Sequence, residues 1–250
     1  MTHTEMEAVV RAQLALDLGC RPEVLDGPDN AVMEWRELPG RRRYDTHPVL
    51  LDIALWKGRL FAACASALLP WAEEWLRPRA AEWLFLPKYL RQIDAALAPL
   101  GYEIGDATRF FLPKLPTQAA APLFPVRWYE YDQLEPFRGD LRWDGPLAFN
   151  PLYPDMLVVA ALDGQSRPIA MAGASRDGAR LWQAGITVLP EYRGRGLGVN
   201  LTALLRDELL RRDVVPFYGT AESHIVSQNV AAKAGFYPGF AYLHAKPKGT

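Results

Sequence analysis

Apolar and polar positions along the first hundred residues alternate between helical and strand-like spacing. The stretch EMEAVVRAQLALDLG has apolar residues at helical intervals and predicts a helix over residues 4–18 that stops at Gly19. We interpret the residues between this helix and the next apolar run as loop. LLDIALWKGRLFAACAS predicts two strands joined by a turn at Lys57-Gly58. Helical patterns follow at 68–77 and 88–99, and we interpret the short apolar run EWLFL between them as a strand. YEIGDATRFFLPKL then reads as extended.

The second half of the chain contains more adjacent strands. VRWYEYD and DMLVVAALDG predict strands with a helical region between them, and two further strands surround a turn at Asp177-Gly178. A helix is predicted from about residue 196 to 212, followed by the strand VPFYGTA, the helix SHIVSQNVAAKAG and, in YPGFAYLHAKP, one or two final strands. Since strands neighbour one another in sequence, we predict an α/β fold with a mixed, partly antiparallel sheet.

A segment rich in proline and alanine, PKLPTQAAAPLFP, shows no periodicity and predicts a domain boundary. We therefore expect an N-terminal α/β domain over residues 1–115 and a second domain over residues 124–250. Asp17 and Asp207 lie on helices with one polar face, and we interpret both as solvated.

Composition narrows the class of partner. The 250 residues are 50% hydrophobic and carry a formal net charge of −1, so no overall field attracts nucleic acid or an anionic membrane. No apolar stretch approaches the roughly 18 residues that span a bilayer, and the acidic start does not resemble a signal peptide. We expect a cytoplasmic monomer or homodimer whose two cysteines, Cys20 and Cys64, are reduced, with no metal bound.

One loop concentrates backbone freedom and positive charge at the mouth of a helix. In LPEYRGRGLGVN, Gly194, Gly196 and Gly198 leave main-chain amides accessible, and Arg193 and Arg195 add charge. A helix N-terminus reached through such a turn binds anions, and a pyrophosphate would suit it. The alternative is that glycine serves turn geometry and the arginines are ordinary surface residues.

The motif separates this loop from two common phosphate loops. Gly198 is followed by Val199 and Asn200, not by the Lys-Ser/Thr of a Walker A loop, and the dinucleotide-binding pattern of glycines does not fit either. R-x-x-G-x-G closely resembles the acyl-CoA pyrophosphate loop of the GNAT superfamily of N-acyltransferases. About 30 residues later, HIVSQNVAAKAGF resembles the second motif of that superfamily. The resemblance extends over roughly residues 125–247.

This resemblance implies acetyl-CoA or a related thioester as donor, with residues 193–198 on the pyrophosphate and the backbone of two strand residues on the pantetheine. Ser227 and Asn229 are candidates for contact with the thiol or the pantetheine, or alternatively for local helix capping. The expected donor-binding residues are Ile186, Val188, Arg193, Gly194, Arg195, Gly196, Leu197, Gly198, Ser227 and Asn229.

Acyl transfer to an amine requires a base, a stabilised oxyanion and a protonated leaving thiolate. GTAESH places Glu222 and His224 at the end of a strand, where we favour Glu222 as base and keep His224 as the alternative. Both also suit capping or solvation. The chain departs from the superfamily pattern at His224, where asparagine is usual, and at Ala231, where tyrosine is frequent. Tyr218 and Tyr237 are alternative acids, although strand tyrosines usually pack.

Residues 49–113 follow the order strand, strand, helix, strand, helix, strand, and IDAALAPLGYE resembles NVAAKAGFYP. We interpret the N-terminal half as a degenerate GNAT-like repeat that lacks a phosphate loop. The expected activity is an acetyl-CoA-dependent transfer to a primary amine of a small molecule or peptide. A regulator that binds acyl-CoA without catalysis, and a general phosphate-binding module, remain alternatives.

Overall fold

The computed structural model describes residues 1–43 and 45–249, and its architecture is the predicted mixed α/β fold. Thr250, the end of the expected second domain, lies outside the described residues. None of the helices in the described ranges is long and apolar enough to cross a bilayer. The helices are α1 (His3–Asp17), α2 (Leu69–Trp71), α3 (Pro87–Leu97), α4 (Leu197–Arg211) and α5 (Ile225–Lys233). The strands are β1 (Ala31–Glu34), β2 (Leu51–Trp56), β3 (Arg59–Cys64), β4 (Tyr102–Pro113), β5 (Val126–Glu130), β6 (Asp155–Leu162), β7 (Pro168–Ser175), β8 (Leu181–Val188), β9 (Val215–Ala221) and β10 (Phe236–Pro247).

The chain forms two compact units that interleave in sequence. Unit 1 consists of Met1–Val10 and Phe111–Pro238, and unit 2 consists of Arg11–Phe110 together with the chain from Gly239 onward. The sequence predicts one domain boundary, within residues 113–124. The structure divides the chain three times, because α1, β4 and β10 each contribute residues to both units. A proline- and alanine-rich linker indicates irregular backbone, but it does not report which distant strands pair.

In unit 1 the strand order is β9-β8-β7-β6-β5, with antiparallel pairing from β5 to β8 and parallel pairing of β9 with β8. One face of these strands is covered by α4, whose Leu201 and Leu205 are buried against small residues such as Ala172. The opposite face carries Val158 and Met171 and is covered by a segment around buried Trp143. That segment, predicted to be helical, consists of single 3-10 turns at Tyr131–Gln133, Glu135–Phe137 and Leu141–Trp143.

A pair of glycines brings one turn close to the end of β8. Gly173 and Gly185 are cross-strand partners, and a Cβ on either would overlap a carbonyl oxygen of the turn at Gly145-Pro146. Only glycine permits such an approach of two backbones. The turn is thereby held beside Thr187, which lies two residues after Gly185 on the same face of the strand.

In unit 2 the strand order is β1-β3-β2-β10-β4. The predicted hairpin is confirmed, with Lys57 and Gly58 both in the left-handed region at φ 50° and 75° between β2 and β3. Strand β1 was interpreted as loop, and that prediction is wrong because β1 pairs in parallel with β3, a non-local contact that four residues do not announce. Cys20 and Cys64 are free thiols, as expected.

The run EWLFL is not a strand. The amides of Trp83, Leu84 and Leu86 donate to the carbonyls three residues before them, and Ala81–Trp83 forms a 3-10 turn. These local bonds use the donors that a sheet would need, and Pro87 begins α3 directly afterwards. The N-terminal half therefore lacks the strand on which its predicted repeat of the second half depended.

Asp17 is not solvated, in contrast to its interpretation from the helical pattern. Its carboxylate is buried and accepts from the backbone amide of Arg42 at 2.8 Å and from Arg42 Nε at 2.7 Å. The guanidinium of Arg42 lies over the rings of Phe110, Phe240 and Tyr242. The carboxylate of Asp17 can be buried because the guanidinium of Arg42 is buried beside it and pairs with its charge.

A histidine flanked by two carboxylates joins strands to a loop within unit 2. His244 Nδ1 on β10 lies 2.6 Å from Asp52 Oδ1 on β2, and its Nε2 lies 3.1 Å from Asp45 Oδ2. Arg41 also approaches Asp52, at 3.9 Å. Burial alone would lower the pKa of His244, but hydrogen bonds and charges from Asp52 and Asp45 outweigh it and raise the pKa above 6.5.

This arrangement predicts a pH dependence of stability. Because the pKa of His244 is raised in the folded state, its contribution is complete below about pH 6.5, the unfolded value, and is lost as the pH rises through the folded value. The unfolding free energy of the wild type relative to His244→Gln should therefore decrease as the pH rises from below 6.5 into the alkaline range. Urea unfolding measures it, with exposed His47→Gln as control, and a pH-independent difference would contradict the prediction.

Candidate functional site

A cleft of about 600 Å³ in unit 1 lies where β8 ends and where α4 and α5 begin. The tip of the loop between β8 and α4 forms one wall, and the first turn of α5 forms another. Most of the residues that the sequence singled out are brought together here. Those that line the cleft are Ile186, Val188, Arg193, Gly194, Gly196, Leu197, Gly198, Tyr218, His224 and Ser227.

The cleft opens because β8 and β9 part. Their parallel ladder runs from Leu181–Val215 to Ala184–Tyr218, and among the described residues it does not continue beyond that pair. On its other side β8 remains paired with β7 as far as Val188. The last four residues of β8 therefore present one edge to the cleft instead of to a neighbouring strand.

The pairing with β7 determines which backbone groups face the cleft. Leu189 donates to the carbonyl of Ile169 at 3.0 Å, so this pair is hydrogen-bonded in the antiparallel ladder. Hydrogen-bonded pairs alternate along such a ladder, so the amides and carbonyls of Ile186 and Val188 point away from β7. The carbonyl of Val188 accepts from Arg193 Nε at 3.2 Å on that side. An extended ligand lying in the cleft can thus pair with β8 as an added strand would.

The glycine loop supplies the second set of backbone donors. Gly194 and Gly196 have φ of 76° and 79°, a conformation that side chains with a Cβ rarely adopt. Gly196 is the N-cap of α4, and no side chain caps the helix there, so its first amides are left for a ligand. A Cβ on Gly198 would enter the space between the side chains of Val188 and Val230. The loop therefore has the backbone geometry of an anion cradle.

The two loop arginines differ in position. Arg193 lines the cleft, whereas Arg195 is exposed outside it. The guanidinium of Arg195 lies 5.2 Å from the ring centre of Tyr192, and its Nη2 donates to the carbonyl of Glu191 at 3.4 Å. The charge of Arg193 is therefore the one placed at the cleft.

His224 and Glu222, the candidate bases, also occupy different places. His224 lines the cleft and is the N-cap residue of α5, but its side chain makes no capping hydrogen bond. Glu222 is exposed and is not among the residues that line the cleft. Its backbone carbonyl accepts from Gln228 Nε2 at 2.8 Å, which fixes the turn before α5. The geometry thus brings only the imidazole to the cleft.

Two hydroxyl groups meet at the point where β8 and β9 part. The oxygens of Tyr218 and Ser227 are 2.8 Å apart, and both residues line the cleft. Burial raises the pKa of Tyr218, and the hydrogen bond with Ser227 acts in the opposite direction without cancelling it. Tyr218 therefore stays protonated near neutral pH and can donate. Ala231, by contrast, is buried in the core and offers no hydroxyl.

Two other candidates lie elsewhere. Asn229 is exposed and does not line the cleft. Tyr237 is also outside its lining, with its hydroxyl 3.3 Å from His3 Nε2. Burial and the charge of Glu7 raise the pKa of Tyr237.

Four lining residues were not identified from the sequence. Thr187 lies between the two strand positions that were predicted, and Tyr192 lies just before the arginine of the loop. Val199 and Val226 belong to the first turns of α4 and α5. Only their proximity to the two motifs could have indicated them, since valine at a helix start carries no chemistry.

Comparisons with known proteins place the motifs in one family. Residues 118–236 match the model of the acetyltransferase (GNAT) family. No curated protein matches the chain significantly. Among solved structures, a GNAT-family acetyltransferase from Novosphingobium aromaticivorans is 17% identical, with a TM-score of 0.46 over 60% of this chain and 69% of that one.

Two further solved structures are similar to the chain at comparable sequence identity. A GCN5-related N-acetyltransferase-like protein from Streptococcus suis is 18% identical, with a TM-score of 0.47 over 97% of this chain and 99% of that one. The aminoglycoside N-acetyltransferase AAC(6')-Iy, solved in complex with CoA, is 22% identical, with a TM-score of 0.34 over 45% of this chain and 91% of that one. The family match includes the glycine loop and the cleft, and it shows that residues 118–236 form a GNAT-family acetyltransferase domain.

Proposed function

We propose that the protein transfers an acetyl group from acetyl-CoA to a primary amine, directly and without a covalent enzyme intermediate. The observation that supports this most is the parting of β8 and β9 beside the glycine loop, since it places two sets of free backbone donors along one cleft. The acceptor would be a small molecule or a peptide. The family match supports acetyl transfer in general, and the choice of amine is our inference.

The residues of the cleft fit the donor. The amides of residues 194–198, with Arg193 beside them, suit a pyrophosphate, because amides of a helix N-terminus and a guanidinium are strong anion ligands. Ile186 and Val188 would pair with the amide groups of the pantetheine. When bound, acetyl-CoA supplies an activated acyl group and a thiolate leaving group. The chain itself contributes orientation and proton transfer.

Three groups divide the remaining chemistry. The amide of Val188 would stabilise the oxyanion that develops on the acyl carbonyl. His224 would accept the proton of the attacking amine as the C–N bond forms, directly or through water. Tyr218, with its hydroxyl bonded to Ser227, would protonate the thiolate as the C–S bond breaks. We assign the base to His224 rather than to Glu222, because His224 lines the cleft.

An acyl-CoA-binding regulator is the second candidate. It is favoured by Ala231, which stands where many relatives have tyrosine. The hydroxyl pair of Tyr218 and Ser227 weakens this argument, because it provides a donor from another element. Release of free thiol from acetyl-CoA with a panel of primary amines separates the two: a regulator would bind CoA and give no product with any amine.

Removal of the anion cradle should weaken donor binding strongly. In the double variant Arg193→Ala, Gly196→Ala, both the guanidinium and the left-handed N-cap are lost, and we expect the Kd for CoA to rise at least about 100-fold. Isothermal titration calorimetry with CoA and with ATP measures it. Gly139→Ala is the matched control, since Gly139 has φ 80° with open space around its Cβ position and lies outside the cleft. Unchanged affinity in the double variant would refute the cradle, and equal binding of ATP by the wild type would favour a general phosphate-binding module.

Loss of the Tyr218 hydroxyl should affect turnover rather than binding. Tyr218→Phe keeps the ring in the core, so we expect kcat to fall about 10- to 100-fold while KM for acetyl-CoA stays within about twofold. Steady-state kinetics of thiol release measures both constants. Tyr192→Phe, which removes a hydroxyl elsewhere on the cleft wall, should leave kcat unchanged. A wild-type kcat in Tyr218→Phe would remove this tyrosine from the reaction.

The two candidate bases can be compared directly. His224→Gln should lower kcat about 100-fold, whereas Glu222→Gln should change it less than about twofold, because only the imidazole lies on the cleft. CoA affinity, measured in parallel by calorimetry, should remain similar in both variants. The reverse order of effects would return the role of base to Glu222.

A further inference from the structure

A segment of extended chain is bound along α4 by side chains that recognise its backbone. Arg206 Nη2 donates to the carbonyl of Gln118 at 3.0 Å, and Asp207 Oδ2 accepts from the amide of Ala120 at 2.9 Å. We call residues 118–123 the strap. Asp207, interpreted from the sequence as solvated, is thus half-buried against it.

Asn200 holds the last part of the strap with both ends of its amide. Its Oδ1 accepts from the amide of Leu123 at 3.0 Å, and its Nδ2 donates to the carbonyl of Ala121 at 2.7 Å. These contacts fix the register of the backbone, so the side chain of each strap residue has a defined place. Because the contacts move from Arg206 to Asn200 as the chain advances, the strap runs antiparallel to α4 and ends at its N-terminus.

The strap places an exposed leucine beside the glycine loop. Leu123 Cδ1 lies 3.5 Å from the position that a Cβ on Gly196 would take. Leu123 is 60% exposed, although its own amide and the carbonyl of Ala121 are both hydrogen-bonded to Asn200. Leu123 is not among the residues that line the cleft. It therefore forms an exposed apolar surface beside the N-cap of α4, outside the lining of the cleft.

We propose that Leu123 is a contact surface for the adenosine end of the donor, and that Asn200 is the positioning residue for it. This inference rests on the proposed function. If a pyrophosphate held by residues 194–198 has one substituent in the cleft along β8, its other substituent leaves past the N-cap of α4, where Leu123 lies. An apolar side chain fixed at that rim offers burial to a purine, which is flat and poorly hydrated on its faces.

Binding of CoA and of 4′-phosphopantetheine, which lacks the nucleotide, tests this contact. In Leu123→Ala we expect the Kd for CoA to rise about fivefold, as for partial burial of one leucine. The Kd for 4′-phosphopantetheine, measured by competition with CoA, should stay at the wild-type value. Leu141→Ala, which truncates a more exposed leucine of the same unit, is the matched control and should change neither Kd.

Asn200→Ala provides the second readout. It should weaken CoA binding at least as much as Leu123→Ala and should leave 4′-phosphopantetheine unaffected, because the strap is released while the amides of the loop remain. Equal losses for both ligands would show that the strap acts on the loop itself, and would overturn the adenosine contact. Unchanged CoA affinity in Leu123→Ala would overturn it as well, whereas failure of the wild type to bind CoA would overturn the proposed function instead.

Discussion

The parting of β8 from β9 is the constraint on which the site depends. The backbone groups of a strand inside a sheet normally form hydrogen bonds with both neighbouring strands. Here the ladder between β8 and β9 ends at Ala184 and Tyr218, so that one edge of β8 faces the cleft instead. The same divergence gives the Tyr218 hydroxyl room to meet Ser227 at the cleft. The proposed backbone recognition and the proposed proton transfer thus both depend on one irregularity in the sheet.

Helix α4 connects the features that surround this irregularity. Its first turn faces the cleft, and its later residues hold the strap through Asp207 and buried Arg206. Arg206 also donates to the carbonyl of Ala234, at the end of α5. A Cβ on Gly235 would overlap this guanidinium, so the glycine that ends α5 is required by packing as well as by its positive φ. The helix therefore contacts the cleft, the strap and the end of α5.

Local chemistry could be predicted from the sequence, and long-range pairing could not. The loop at Gly194–Gly198 could be predicted because its glycines and arginine are close together in sequence and act through adjacent backbone. Most helices and strands could be predicted from the periodicity of apolar residues. Strand β1 and the run EWLFL were misread because a short apolar segment has no period, and its state is decided by distant partners or local turns. Asp17 and Asp207 look solvated on a helical wheel, since the sequence does not show that Arg42 and the strap come to them. The Tyr218–Ser227 pair likewise depends on where two elements meet.

The interleaving of the two units has a consequence for the order in which they can be completed. Arg11–Phe110, the larger part of unit 2, precedes Phe111–Pro238 along the chain, yet unit 2 also includes β10 residues that are synthesised after the whole of Phe111–Pro238. During vectorial synthesis all the residues of unit 1 are therefore available before all those of unit 2 are, although most of unit 2 is synthesised earlier. The residues that form the cleft are therefore all available at a stage when the edges of β2 and β4 still lack β10, the strand that lies between them.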